Sequence, residues 1–361
     1  MKKALVIGGS NGIGLAIANN LVNKGYQPVI LDRCEPSDDD LPDGTYDYKY
    51  CDLLELDEDL IRSLAADEDI TVMMITAGFG RVADFEYFHI AEIKNMMTVN
   101  ATSILQILRI FYDRIKSSSR FYCGVMGSIA GLMSSPMFTV YAASKAATCR
   151  FIESVNIELE VYGTANRILN VSPASFKGSR FNGGQNNLEL LSDLAEEIMG
   201  HLLSSDCLFI PQYEETMKAV LERYKNDPHE YGLHSYEYKK SSGRVFNEYR
   251  VVIGYISGSF DQFDVETLNL LRQAKKQCDY LIVGVTDNGL SSLSLSDRKQ
   301  LINGIKYVDR VVDAEPSISE ALTKFGFNRF FIADRLQGTD SINESEAFFE
   351  DKKVTVVYLD N

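Results

Sequence analysis

The chain has 361 residues, 45% of them hydrophobic and 24% charged, fractions near the soluble globular average that exclude a disordered, collagen-like or coiled-coil chain. Its 51 acidic against 36 basic residues leave a net charge of −15, which repels phosphate backbones and anionic membrane surfaces and argues against nucleic-acid or membrane partners. No apolar run approaches the roughly 20 residues of a bilayer span, and the run after Lys2-Lys3 is too short for a signal peptide, so a cytoplasmic protein is expected.

Candidate strands and helices alternate from the start. Strands are expected at Ala4–Ile7, Pro28–Leu31, Tyr46–Cys51, Thr71–Thr76, Arg120–Met126 and Arg167–Val171, with helices at Ile13–Lys24, Ile90–Leu108 and Tyr141–Tyr162. Such alternation predicts an α/β fold of Rossmann type, a doubly wound parallel sheet with helices on both faces. Residues 183–240 read as mostly helical and end at the linker signal Ser241-Ser242-Gly243. A second βα series follows, with strands at Arg250–Ile256, Tyr280–Val285, Arg329–Ile332 and Val354–Leu359 and a helix at Val265–Gln277. The expected domains are therefore 1–245 and a smaller α/β domain at 249–361. Cys34, Cys51, Cys123, Cys149, Cys207 and Cys278 are scattered without a paired spacing, and His89, His201, His229 and His234 show no ligand pattern, so reduced thiols and no metal are expected.

The first strand runs into Ile7-Gly8-Gly9-Ser10-Asn11-Gly12-Ile13-Gly14, which opens the first helix. Glycines permit positive φ and close backbone approach, and a helix N-terminus presents free N–H groups to a pyrophosphate. Asp32 ends the second strand, 18 residues beyond Gly14, where a carboxylate accepts from ribose hydroxyls. It disfavours a 2′-phosphate, which points to NAD; Arg33 beside it softens that preference and leaves NADP possible. Tyr141 and Lys145 lie four apart on a helix and share a face. A lysine cation there is expected to lower the phenol's pKa toward the working range. Ser128, 13 residues before Tyr141, follows a strand and can hydrogen-bond a carbonyl oxygen.

In order and spacing these residues resemble the short-chain dehydrogenase/reductase family over about residues 1–245. The glycine turn matches at Gly8, Gly12 and Gly14, with Ser10, Asn11 and Ile13 between them. The acidic residue that contacts adenine matches Asp52, beside Leu53, and the family's Asn-Asn-Ala-Gly stretch appears as Ile75-Thr76-Ala77-Gly78. The tetrad matches Asn100, Ser128, Tyr141 and Lys145, and Pro173-Ala174 stands where nicotinamide packs. The resemblance implies that Tyr141 is the acid or base of ketone–alcohol interconversion and that Lys145 lowers its pKa and holds the nicotinamide ribose. It further implies that Ser128 polarises the carbonyl and that Asn100 holds a helix and a relay water. With Ile75-Thr76 in place of the asparagine pair, two backbone-stabilising side chains are expected to be missing. Arg81, Lys177 and Arg180 are candidates to hold a phosphate or carboxylate of the substrate. The resemblance also implies a homo-oligomer built on the helices near 97–116 and 141–162. Phe111, Tyr112, Phe151 and Ile152 suit either that face or the core.

Residues 250–361 resemble the cytidylyltransferases that activate glycerol phosphate, on Gly258-Ser259-Phe260-Asp261-Gln262-Phe263-Asp264 and on Tyr280–Asp287. The family's two histidines are replaced by Asp264 and Thr267, the glycine between them by Glu266, and its late signature by Arg335–Asp340. Carboxylates there would repel a triphosphate, so nucleotidyl transfer is expected to be lost. The fusion suggests an oxidoreductase acting on a sugar or polyol phosphate in envelope polysaccharide synthesis. The alternatives are a 3-oxoacyl-type reductase and a bifunctional reductase and CTP-dependent cytidylyltransferase.

Overall fold

The computed structural model describes residues 2–36, 45–179, 181, 186–248, 250–261, 263–287, 289, 291–334, 348–349 and 352–360. Arg180 and Arg335–Asp340 lie outside the described residues. The chain divides into two compact units, residues 1–88 with 93–248, and residues 89–92 with 249–361.

In the first unit the described elements are β1 (Lys3–Ile7), α1 (Gly12–Asn23), β2 (Gln27–Asp32), β3 (Asp47–Tyr50), α2 (Glu58–Ala66), β4 (Ile70–Ile75), α3 (Ile90–Met97), α4 (Ser103–Ile110), α5 (Tyr112–Lys116), β5 (Tyr122–Met126), α6 (Thr139–Val161), β6 (Ile168–Val171), α7 (Leu188–Leu203), β7 (Leu208–Phe209), α8 (Lys218–Asn226) and α9 (Pro228–Ser241). The strands form one parallel sheet in the order β3-β2-β1-β4-β5-β6-β7. Its central strands are continuous apolar runs because both faces are covered. Successive residues point to opposite faces. Leu5, Ile7, Met73, Ile75 and Val125 pack with Ile104, Ile107, Ile152 and Leu159 of α4 and α6 on one side. Ala4, Val6, Val72, Met74 and Val171 pack with Leu15, Leu21, Ile198 and Leu202 of α1 and α7 on the other.

Two departures from the sequence reading have local causes. The continuous helix expected over Ile90–Leu108 is interrupted by a π-helical turn at Thr98–Thr102, which turns Asn100 into the interior, where it is fully buried. Helix α2, passed over in the sequence, is started by Asp57, whose carboxylate accepts from Leu60 N at 3.0 Å. Phe111 and Ile152 are core residues, 0% and 1% exposed, and Tyr112 and Phe151 pack against the same core. Among the described residues no helix is long and apolar enough to cross a membrane.

The second unit carries β8 (Ile253–Gly258), α10 (Val265–Lys276), β9 (Tyr280–Val285), α11 (Leu295–Asn303), β10 (Arg310–Asp313), α12 (Ile318–Phe325), β11 (Arg329–Ala333) and β12 (Thr355–Leu359). Its five strands are parallel in the order β10-β9-β8-β11-β12. The loops after β8 and β9 are tied together by Arg298, which is 1% exposed. Its guanidinium donates to Ser259 O and to Thr286 O and pairs with Asp261 at 3.7 Å and Asp287 at 3.8 Å. Asp264 caps α10 by accepting from Thr267 N at 2.8 Å.

Candidate active site

The glycine turn is built so tightly that only glycine fits at two of its positions. A Cβ on Gly14 would lie 2.1 Å from Gly8 O, and one on Gly8, whose φ is +83°, would lie 2.5 Å from Ala77 N. The start of α1 therefore sits directly on the carboxyl ends of β1 and β4, which is the close approach an anion-binding turn needs. Thr76 is part of the fastening. Its hydroxyl lies 3.1 Å from Ile7 O and 2.9 Å from Gly8 O, so a stabilising side chain expected to be missing is supplied by threonine. Asp32 stands at the end of β2, half-exposed, with Oδ2 accepting from Ser10 N at 3.1 Å and from Ser10 Oγ at 2.5 Å. Arg33 is exposed beside it. Asp52 caps the following turn by accepting from Leu54 N at 2.9 Å, and the neighbouring Leu53 O accepts from Ser103 Oγ at 2.6 Å.

One contact on this turn has no counterpart in the sequence reading. Gly12 N, at a φ of +56°, donates to Asn186 Oδ1 at 2.8 Å, and Ser179 Cβ lies 3.4 Å from where a Gly12 Cβ would be. Asn187 N in turn donates to Gly178 O at 3.1 Å, which clamps the base of this segment. The cradle fits a dinucleotide pyrophosphate in its glycines and in the helix end, with Asn186 competing for one of its amides.

The four residues expected to form a tetrad are brought together at the carboxyl ends of β4 and β5. Tyr141 and Lys145 point from α6 into the interior, 6% and 2% exposed. Lys145 Nζ donates to Met126 O at 2.7 Å, lies 5.8 Å from the Tyr141 ring centroid and borders Gly78, where an added Cβ would be 3.2 Å from it. Asn100 spends its amide on the protein. Its Oδ1 accepts from Phe79 N at 3.0 Å, and its Nδ2 donates to Phe79 O at 2.8 Å and to Ser144 Oγ at 3.0 Å. Thr148 Oγ1 donates to Asn100 O at 2.9 Å. These bonds lock the 78–80 backbone against α6 and make Asn100 a positioning residue in this arrangement. Pro173 is buried, and its carbonyl accepts from Ile129 N at 3.1 Å, steadying the turn that follows Ser128.

The electrostatics run opposite to the expected activation of the phenol. Burial pushes the Tyr141 phenol up to about 12, against the hydrogen bond from Ser128, which works to lower it. Burial also pushes the Lys145 amine down to about 8. Desolvation disfavours both charged forms and is the largest cause of each shift. The phenol is therefore a protonated donor at neutral pH, with Ser128 beside it.

Two aromatic residues and one glycine pack against the Tyr141 ring, and of these Phe138 and Gly80 were not singled out in the sequence. The Phe138 ring stacks on Tyr141 at 4.2 Å between centroids, and Phe181 approaches the same ring at 5.2 Å. A Cβ on Gly80 would meet Tyr141 Cδ2 at 2.5 Å. No local signal marks Gly80, because the contact that requires it comes from residue 141.

Of the expected substrate cations, Arg81 is turned away from this site. Arg81 is 7% exposed, donates to Phe246 O at 2.6 Å and Tyr87 O at 2.7 Å, and covers the Phe88 ring at 4.5 Å. Its guanidinium is committed to satisfying carbonyls inside the unit, which corrects its reading as a substrate-binding charge. Lys177 is exposed.

Comparison with known proteins bears on this geometry. A dehydrogenase of Cochliobolus heterostrophus is 29% identical over 169 residues, 45% of this chain and 63% of that protein. A probable short-chain type dehydrogenase/reductase of Helicobacter pylori is 25% identical over 182 residues, 47% of this chain and 64% of its own. A very-long-chain 3-oxoacyl-CoA reductase of Danio rerio is 24% identical over 178 residues, 45% of this chain and 54% of that one. The chain thus spans less than two thirds of the length of these curated relatives. Among solved structures, a short-chain dehydrogenase/reductase from Burkholderia phymatum in complex with NAD shares the fold at a TM-score of 0.53 and 17% identity, covering 63% of this chain and 93% of that one. A short-chain dehydrogenase from Sphingobium yanoikuyae in complex with NADPH shares it at 0.50 and 18% identity, covering 63% and 96%. Residues 2–187 match the short chain dehydrogenase family as a whole. That match takes in more than half of the chain, from the first strand to the residue that caps α7, and it places this protein among the short-chain dehydrogenases, a family of NAD(P)-dependent oxidoreductases.

Proposed function

We propose that the first unit reduces a ketone to a secondary alcohol with NADH. The observation that carries this reading is the buried Tyr141 phenol, with the Ser128 hydroxyl hydrogen-bonded to it and the buried Lys145 amine one turn further along the same helix. A phenol held protonated is a proton donor, and a ketone oxygen that receives hydride at its carbon needs such a donor. The nicotinamide, when bound, supplies the hydride. Gly8, Ser10, Asn11, Gly12, Ile13 and Gly14 would cradle its pyrophosphate, Asp32 its adenosine ribose, and Asp52 and Leu53 the adenine edge. Ala77, Gly78, Lys145 and Pro173 would line the nicotinamide end. Ser128 orients the carbonyl oxygen toward Tyr141 Oη, and Phe138 and Phe181 keep water from the phenol. Asp32, already accepting two hydrogen bonds, favours a free 2′-hydroxyl over a 2′-phosphate.

On substrate, we read a phosphorylated sugar or polyol ketone as the first choice, for an envelope polysaccharide precursor. A 3-oxoacyl thioester is the second, favoured by relatives named as very-long-chain 3-oxoacyl-CoA reductases. We read residues 249–361 as a cytidylyltransferase-like module without transfer activity, a domain apart from 1–245. Asp264 and Thr267 stand at the histidine positions and are used on each other as a helix cap. Arg298 pins the loops where a nucleotide would enter. A homo-oligomer is the expected state.

The test is a fluorescence titration of NADH and NADPH, followed by a screen of ketose phosphates and 3-oxoacyl thioesters with Tyr141→Phe as control. NADH binding without any turnover in either class would overturn the reductase reading. Pyrophosphate release from CTP would overturn the reading of the second module.

A further inference from the structure

Helix α9 ends in a half-buried charge that has no counter-ion among the described residues. Lys239 Nζ donates to Ser135 Oγ at 2.7 Å, to Pro136 O at 2.9 Å and to Ser235 Oγ at 3.1 Å. All three acceptors are neutral, and among the described residues no carboxylate raises its pKa. A second cation, Arg244, acts with burial to push the amine down to about 8. Arg244 donates from Nε to Ser242 Oγ at 3.2 Å and forms no ion pair among the described residues. Half-buried charges are ordinarily paired. The chain has 51 acidic side chains, yet among the described residues none pairs with either of these two neighbouring cations.

Their place in the fold is informative. Ser135 and Pro136 belong to the loop between Ser128 and α6, and two residues beyond Pro136 comes Phe138, whose ring stacks on Tyr141. The chain around Arg244 runs beside the stretch that follows Gly80. Val245 bridges Val82, Phe246 N donates to Val82 O at 2.9 Å, and Asp84 exchanges hydrogen bonds with Asn247 at 3.0 and 2.8 Å. Gly80 in turn touches the Tyr141 ring. Both cations therefore sit beside segments, 135–138 and 80–84, that lead within a few residues to the walls around the phenol.

We propose that Lys239, Arg244, Ser135 and Ser235 form an oxyanion subsite at the substrate entrance, which takes a phosphate or carboxylate carried by the ketone. Lys239 has used its three N–H groups, so it supplies charge and polarises the two serine hydroxyls. Their hydrogens, with the terminal N–H groups of Arg244, make the contacts to the anion. The subsite takes the role sought in the sequence at Arg81, Lys177 and Arg180. Its meaning for substrate choice rests on the reductase reading, but its capacity to bind an anion does not.

Inorganic phosphate is the probe, titrated calorimetrically into NADH-saturated protein so that the glycine turn is already filled. Lys239→Met and Arg244→Met are each expected to weaken phosphate binding about ten-fold or more, the loss typical of a charge-assisted contact, while Lys239→Arg retains it. NADH affinity of each variant reports folding, and if Lys239→Met loses it, Arg244→Met decides. Absence of phosphate binding to the unaltered protein, or binding indifferent to both Met variants, overturns the proposal. In turnover, dihydroxyacetone is compared with its phosphate and with acetoacetate, which separates phosphate from carboxylate as the source of the anion. Equal kcat/KM for the neutral and both anionic ketones overturns the substrate role. Phosphate binding that is lost in the variants, with no ketone reduced, leaves the subsite standing and overturns the reductase reading instead.

Discussion

Gly80→Ala tests whether the Tyr141 ring is held as tightly as the geometry requires. The new methyl would lie 2.5 Å from Cδ2, 2.8 Å from Cγ and 3.0 Å from Cβ of Tyr141. Carbon atoms settle at about 3.5–4.0 Å, so the ring must retreat by about 1 Å. It has no room to do so, with Phe138 stacked at 4.2 Å, Phe181 at 5.2 Å and only 6% of the residue exposed. Overpacking of this kind costs about 1–3 kcal/mol of stability, and displacing a reacting group by about 1 Å costs on the order of 10²-fold in rate. The assay is ketone reduction followed by loss of NADH absorbance, beside a fluorescence titration of NADH. The expected result is kcat lower by about 100-fold with NADH affinity unchanged, because the methyl points at the phenol and away from the glycine turn. An unaltered kcat would refute the reasoning and show that the phenol has slack the packing does not reveal.

Asn186→Ala removes the side chain that competes for Gly12 N–H, a 2.8 Å bond. A hydrogen bond of about 0.5–1.5 kcal/mol is released to the ligand, so NADH should bind about 2- to 10-fold more tightly, and weaker binding would count against a competing role. The Lys145 amine, pushed down to about 8, is charged at neutral pH and loses its proton as pH rises through that value. If its ammonium holds the nicotinamide ribose, NADH affinity should fall by roughly ten-fold per pH unit beyond it, and a flat profile would remove Lys145 from that role. The same shift works on stability with the opposite sense: between about pH 8 and the ordinary lysine value the unfolded chain binds more protons, so this residue's contribution to stability rises with pH. Arg298→Met leaves three loop carbonyls and two carboxylates without their buried cation, at a cost of about 3–5 kcal/mol. Hydrogen exchange in β8 and β9 should then accelerate by about 100-fold or more, whereas exchange in β1 and β4 reports any wider effect.

Features legible in the sequence were those carried by short spacing. Tyr141 and Lys145 share a helix face because residues four apart always do. The turn from Gly8 to Gly14 announced itself between an apolar strand and an amphipathic helix, and the central strands were continuous apolar runs. Less legible were β10, whose ends are exposed, and the short helices α11 and α12, where polar residues dilute the periodicity. The break in the helix at Thr98–Thr102 left no pattern either, because its cause is the bonding of Asn100 to Phe79 and Ser144.

By itself, then, the sequence determined the alternating parallel architecture of the first unit, the glycine turn between β1 and α1 and the shared helix of Tyr141 and Lys145. Only the tertiary structure decided what those groups are free to do. It buried Arg81 against two carbonyls, set Asn186 on an amide 174 positions away, brought Lys239 to Ser135 across 104, and placed the Tyr141 ring against Gly80. It also reversed the expected direction of the Tyr141 shift. The reason is physical: spacing along a chain fixes which side chains share a face, whereas desolvation and long-range packing depend on what the remainder of the fold places over them.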